Sequence, residues 1–350
     1  MTLFVTTQSY RQNIPTEFGY LLKIDKNSGE ILQKERIDTP IKLSNGHERI
    51  KPGLRGISIY KNEIYTATWN SIYILHIKSL KIIKKISHSW MSDLHGIYVD
   101  CNGIWITSSL TDAVILYDFD GFPVSSLWLP ETFLYKNRVT VDRSIDWCNK
   151  GKDFSGFREY HANHIEVRNN SVFVTGRGRG DKTGRIIELD KSLFINNKKI
   201  TDTDIHLFIK NLHGPHDGIW INDKVWLTET LNSTIACISN TGKVKRRKKI
   251  LSSENEKINY KNIKEYLKYQ IKEKLFQKSG KKITHWTRGL SIDDDHIFVG
   301  QSTKAGDSQS RARIIKIDKK TLKIIDCFYL NIENYPETRI FQIYQDQKVL

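Results

Sequence analysis

One short pattern of residues recurs along the whole 350-residue chain and limits the folds open to it. In its clearest copy, His95–Gly121 (HGIYVDCNGIWITSSLTDAVILYDFDG), a basic side chain and a glycine lead into three short apolar runs, Gly96–Val99, Ile104–Thr107 and Val114–Asp118. Asn, Asp and Gly clusters separate the runs, which is how strands joined by tight turns read. Further copies begin at Arg55, His164, His216 and Arg288. A sixth is divided between the ends: Arg339–Leu350 holds only the first strand, and Leu3–Ile37 holds the strands that follow. Antiparallel four-stranded modules at this spacing predict an all-β, six-bladed β-propeller that occupies residues 1–350 as a single domain. Completing one blade from both termini removes the seam where two bare strand edges would face water.

Two stretches interrupt the rhythm. Residues 131–162 carry aromatic and charged side chains with little strand periodicity. Residues 251–286 carry Ile263, Leu267, Ile271 and Leu275 four apart, which predicts a short helical insertion from Tyr260 to Lys278 with a basic outer face. Both precede the first strand of a module. In a propeller the starts of first strands and the ends of second strands share one rim of the channel, so both insertions are expected over that rim.

Charge narrows the partners. With 55 Lys and Arg against 39 Asp and Glu, the formal net charge is +16, which favours an anionic small molecule or an acidic glycan. Nucleic acid is disfavoured, because the lysines are spread over turns and outer strands and RRM, KH, helix-turn-helix and zinc-finger patterns are missing. No run of 18 apolar residues suggests a membrane helix, and the N-terminus reads as a strand rather than a signal peptide. The cysteines, Cys101, Cys148, Cys237 and Cys327, form no CxxC pair and are expected as free thiols in a reducing cytoplasm.

The predicted rim is unusually polar. Strand-one starts carry Arg55, His95, His164, His216, Arg288 and Arg339. Dry, unpaired charges there would cost several kcal/mol each, so these groups must meet water, carboxylates or a bound anion. His95, His164 and His216 recur at one position of three consecutive modules. Neutral imidazoles converging from adjacent blades would suit a divalent metal with open coordination positions. The alternatives are metal-free catalytic or anion-binding histidines, and histidines that satisfy their own backbone. Arg55, Arg177, Arg288 and Arg339, together with Asp217, are the expected substrate-binding groups, since guanidinium suits bidentate contact with carboxylate or phosphate. Glu229, His161 or His213 would move a proton. Gly176–Gly184 (GRGRGDKTG) fails as a phosphate loop, because Asp181 stands where the second glycine is needed and a strand follows in place of a helix.

The runs HGIYVDCNGIWIT and DGIWINDKVWLTET resemble the six-bladed NHL-like and streptogramin-lyase-like propellers, in which "DG" or "HG" precedes a Gly-x-Ile/Leu-Trp-Ile/Val-Thr strand. The resemblance covers nearly the whole chain and implies a site in the central channel, where lactone hydrolases and metal-assisted lyases of this kind work. His and Arg stand here where a lactonase would place acidic and Asn ligands for calcium. The resemblance therefore implies a lyase that removes a proton beside a carboxylate, with metal and arginine holding that carboxylate. The expectation is an enzyme, a metal-assisted lyase or hydrolase. Its rival is a non-catalytic platform whose basic rim recognises a protein, glycan or other polyanion.

Overall fold

The computed structural model describes residues 2–11, 14–39, 53–149, 157, 159–179, 182–250, 285–303, 312–330, 332 and 337–345. They form six antiparallel sheets arranged as the blades of a propeller. Blade three shows the common plan: Leu94–Asp100, Gly103–Ser108, Ala113–Tyr117 and Pro123–Trp128 pair in sequence order from the channel outward. Blade two starts at Ile57–Tyr60, blade four at Ala162–Arg168, blade five at Ile219–Ile221 and blade six at His285–Ile292. Blade one is shared. Its inner strand is Glu337–Gln345, which pairs antiparallel with Thr2–Arg11, and Phe18–Asp25 and Ile31–Asp38 complete it. The ring thus closes as the divided repeat predicts. The helix expected at 260–278 lies outside the described residues.

Alternation along each strand sends successive side chains to opposite faces of a blade, and each face packs on a different neighbour. Ile104 and Ile106 join the cluster with blade two, whereas Trp105, Val114 and Leu116 join the cluster with blade four. Among the described residues one such apolar cluster fills each of the six blade interfaces.

Near the axis the inner strands of blades two and three come so close to the next blade that Gly56 and Gly96 leave no room for a side chain. A Cβ at Gly56 would lie 2.3 Å from the carbonyl oxygen of His95, and one at Gly96 would lie 2.7 Å from the amide nitrogen of Ile165. Each inner strand also has a free edge whose N–H groups need partners. Side chains of the preceding blade supply them: Gln342 Oε1 accepts from Ile57 N (2.9 Å), Ser58 Oγ from Val99 N (3.1 Å), Glu166 Oε1 from Trp220 N (3.3 Å), Asp217 Oδ2 from Gly289 N (3.2 Å) and Ser302 Oγ from Ile340 N (3.0 Å).

At the mouth end, the pairing of the first and second strands slips by a residue in blades three, four, six and one. Such bulges re-aim the side chains beside them. The chain also enters the inner strand left-handed at Gly53 (φ 108°), Asp93 (φ 54°) and His161 (φ 54°), each four residues before the first core isoleucine of its blade. This geometry belongs to the architecture.

The glycine contacts predict an order of stability. Gly56→Ala drives a methyl against rigid backbone and is expected to cost about 1–3 kcal/mol in denaturant unfolding. Gly218→Ala meets only the Thr175 hydroxyl, 2.9 Å from the new Cβ, and is expected to cost clearly less.

Candidate functional site

Aligned on their cross-strand partners, the inner strands correct part of the expected column of basic groups. Gly56, Gly96 and Gly289 share one position, which faces the next blade, and His164, Asp217 and Gln342 occupy it in blades four, five and one. The preceding position then holds Arg55, His95, Asn163, His216, Arg288 and Phe341. His216 is therefore equivalent to His95, whereas His164 lies one residue after that position and Arg339 two residues before it.

His164 serves the blade interface. Its ring lies over Gly218, with Nε2 3.1 Å from the Gly218 carbonyl oxygen, and burial lowers its pKa. His161 stands in its place beside His95, ring centroids 5.3 Å apart, and His216 lies 6.0 Å from His95. Phe341 is the hub, 5.4 Å from His95 and 5.0 Å from His216. These rings pack edge-on or tilted, as aromatic groups do. Among the described residues no three His, Cys, Asp or Glu side chains gather in a group that could hold a metal ion. The trio His95, His164 and His216 does not fit the metal expected of it.

Arginines surround the hub on aromatic faces. Arg55 lies 5.1 Å from the Trp69 ring and 5.8 Å from Phe341, Arg288 lies 5.5 Å from Phe341 and 4.6 Å from Trp286, and Arg339 lies 5.4 Å from Trp286. Arg55, 2% exposed, also pairs with Asp93 and places Nη1 3.0 Å from His95 Nδ1. Burial holds the His95 imidazole well below its ordinary pKa; Asp93 opposes the shift, and Arg55 adds to it.

The two acids expected at the site serve the scaffold. Glu229 is fully buried and accepts from His213 N (3.1 Å), Thr234 Oγ1 (2.9 Å) and both Arg247 Nη2 (3.0 Å) and Nε (2.8 Å). Four contacts leave it no role as a base. His213 enters this arrangement through its backbone. Asp217 bridges Thr228 Oγ1 and Gly289 N, and burial raises its pKa. Asp112, which the repeat did not single out, holds the end of the 131–162 insertion. It accepts from the amides of Tyr160, His161 and Ala162 and from the Tyr135 hydroxyl, and burial pushes its pKa up to about 6.

Two side chains at the interface of blades four and five have no such employment. The Arg177 side chain is half-buried and has no hydrogen bond or ion pair among the described residues, and burial lowers its pKa. His216 is 3% exposed, and neither ring nitrogen has a hydrogen-bond partner. Burial, with the Arg288 and Arg177 charges beside it, holds its pKa well below the ordinary imidazole value. Arg177 departs from what the repeat uses elsewhere. The residue equivalent to Arg177 is Ser109 in blade three and Thr230 in blade five, and each donates its hydroxyl to a carbonyl of the next blade. His216 stands in the column of Arg55, His95, Asn163, Arg288 and Phe341.

Three outcomes follow from this geometry. Arg177→Gln is expected to leave unfolding unchanged or raise its midpoint, because it removes a desolvated charge without a counter-charge. Glu229→Gln is expected to lower stability by about 1–3 kcal/mol, because Arg247 loses its ionic partner. His216→Phe is expected to gain stability over the wild type as the pH falls from about 7 to about 5. In that window the unfolded histidine takes a proton that the folded one resists, so the wild type loses stability as the pH drops below about 6.5.

No protein-family model matches the chain, and no curated protein matches it. Solved structures do. A Bacteroides caccae protein of unknown function superposes with a TM-score of 0.57 at 8% identity, covering 98% of this chain and 97% of the other. A chain from the nidogen/laminin complex gives a TM-score of 0.57 at 11% identity, covering the same 98% and 97%. The likeness is one of fold: this chain shares with them its propeller ring.

Proposed function

We propose that the channel mouth binds a small organic anion and exchanges a proton with it, without a metal held by the histidines. The observation that carries the reading is the pair Arg177 and His216, a guanidinium without a counter-charge beside a buried imidazole without a hydrogen-bond partner. A desolvated cation of this kind costs stability and is retained where a ligand supplies the missing charge. Arg288, set between Trp286 and Phe341, adds a second positive group at the same place. A carboxylate suits it best, because guanidinium meets that group through two parallel hydrogen bonds. The His216 imidazole, whose pKa is held well below the ordinary value, is in the neutral state that a base requires, and His161 stands at the same mouth beside His95. Glu229 and Asp217 take no part, since both are committed to the ring. The rival reading, a binding platform without turnover, uses the same mouth and differs only in the proton step.

The test is thermal unfolding in a panel of mono- and dicarboxylates, read beside deuterium uptake at the carbon next to the carboxylate. Carboxylates are expected to raise the midpoint of the wild type and not that of Arg177→Gln. Equal stabilisation of both proteins would sink the site. Deuterium uptake is expected to fall in His161→Gly, which removes the ring while suiting the left-handed backbone at that position. Binding without any uptake would leave the platform.

A further inference from the structure

The polar atoms around His216 define more than a charge, and the inference drawn from them rests on the anion site proposed above. Asn163 is the bulged residue of the fourth inner strand and is 2% exposed. Its Nδ2 donates to the carbonyl of Pro215, the residue before His216, at 3.1 Å, whereas its Oδ1 has no partner. His216 adds two ring nitrogens, one a donor and one an acceptor in the neutral imidazole.

Donor and acceptor accounting excludes a plain anion. Carboxylate oxygens only accept, so they can answer Arg177 and the imidazole N–H. They cannot answer Asn163 Oδ1 or the unprotonated nitrogen of His216, which need a donor. Leaving such atoms unpaired in a buried site is costly. A hydroxyl beside the carboxylate supplies both functions, donating to Asn163 or His216 and accepting from the imidazole N–H. We infer that the ligand of the channel mouth is a hydroxy-carboxylate, its carboxylate on Arg177 and its hydroxyl in the pocket of His216 and Asn163.

The probes are matched pairs that differ in one hydroxyl, lactate with propionate and malate with succinate, titrated into the intact protein by calorimetry near neutral pH. The hydroxy acid of each pair is expected to bind about tenfold or more tightly, since a site built to hydrogen-bond a hydroxyl discriminates strongly against its absence. His216→Phe and Asn163→Leu are each expected to reduce the hydroxy acid to the affinity of its partner, and Arg177→Gln to abolish binding of both. A readout on the unaltered protein accompanies these variants: the ¹⁵N resonances of the His216 ring are expected to shift with lactate and to stay in place with propionate. Equal affinities within both pairs, or discrimination that survives both pocket variants, would overturn the inference and assign the unpartnered atoms to ordered water. Failure of all four acids to bind would remove the anion site itself, and the inference with it.

Discussion

Each inner strand is paired on one side only, and its second edge faces the axis with amide groups that no strand can satisfy. In a closed ring there is no room to add one. The solution is a relay in which, among the described residues, five of the six blades lend a side chain to the next, and it fixes the use of Gln342, Ser58, Glu166, Asp217 and Ser302. Two of these are carboxylates. Accepting a backbone amide does not repay their desolvation, and burial pushes Glu166 up to about 8 and raises Asp217. The same constraint explains why the channel mouth is so positive. The nearby acids are consumed in holding the blades together, and Glu229 is consumed by Arg247.

Against that architecture the site stands out by departure. A repeat supplies its own reference, because equivalent positions face equivalent mechanical demands. Where blades three and five lock their neighbours with the hydroxyls of Ser109 and Thr230, blade four presents Arg177. In the column where Arg55 pairs with Asp93 and Asn163 donates to the Pro215 carbonyl, His216 leaves both ring nitrogens without a hydrogen-bond partner. Both features fall at one interface, and each gives up a contact that the ring uses elsewhere. Sites that break a local rule in this way are where function is expected to override stability. By the same comparison the left-handed φ of His161 is not such a departure, since Gly53 and Asp93 share it.

The ring itself was legible in the sequence because alternation is a strong and redundant signal: Ile104, Ile106 and Trp105 declare two faces within three residues. The divided blade was legible because the missing strand at one end matched the surplus at the other. The site was legible only to within one residue. His164 and His95 both stand at the head of a strand, yet His164 pairs as Gly96 does, one residue further on, and so packs in the blade interface while His95 stays at the mouth. A one-residue offset changes the face to which a side chain points, and nothing in the composition of HANH announces it. The partners of the acids were hidden by distance. Arg247 reaches Glu229 from an outer strand, and Asp112 holds amides about fifty residues downstream. The bias towards charged residues also concealed Phe341, although aligning the cross-strand partners places it in the same column as Arg55 and His95.

Phe341 connects the two halves of the argument. Around it run Trp69, Arg55, Arg288, Trp286 and Arg339, aromatic faces alternating with guanidinium groups. Each such contact offsets part of the cost of withdrawing a cation from water, roughly 0.5–2 kcal/mol according to its exposure. The ring quadrupole does so without neutralising the charge, so the field at the mouth stays positive while the arginines remain fixed. A carboxylate in the place of Phe341 would hold them equally well and would cancel the attraction for an anion. Phe341 lies on Glu337–Gln345, the strand that meets the N-terminal strand Thr2–Arg11 to complete blade one. Until the two ends of the chain pair, His95, His216, Arg55 and Arg288 lack the apolar surface on which they are arranged. Closure of the ring and assembly of the site are therefore one event, and a chain that fails to close loses its mouth before it loses its blades.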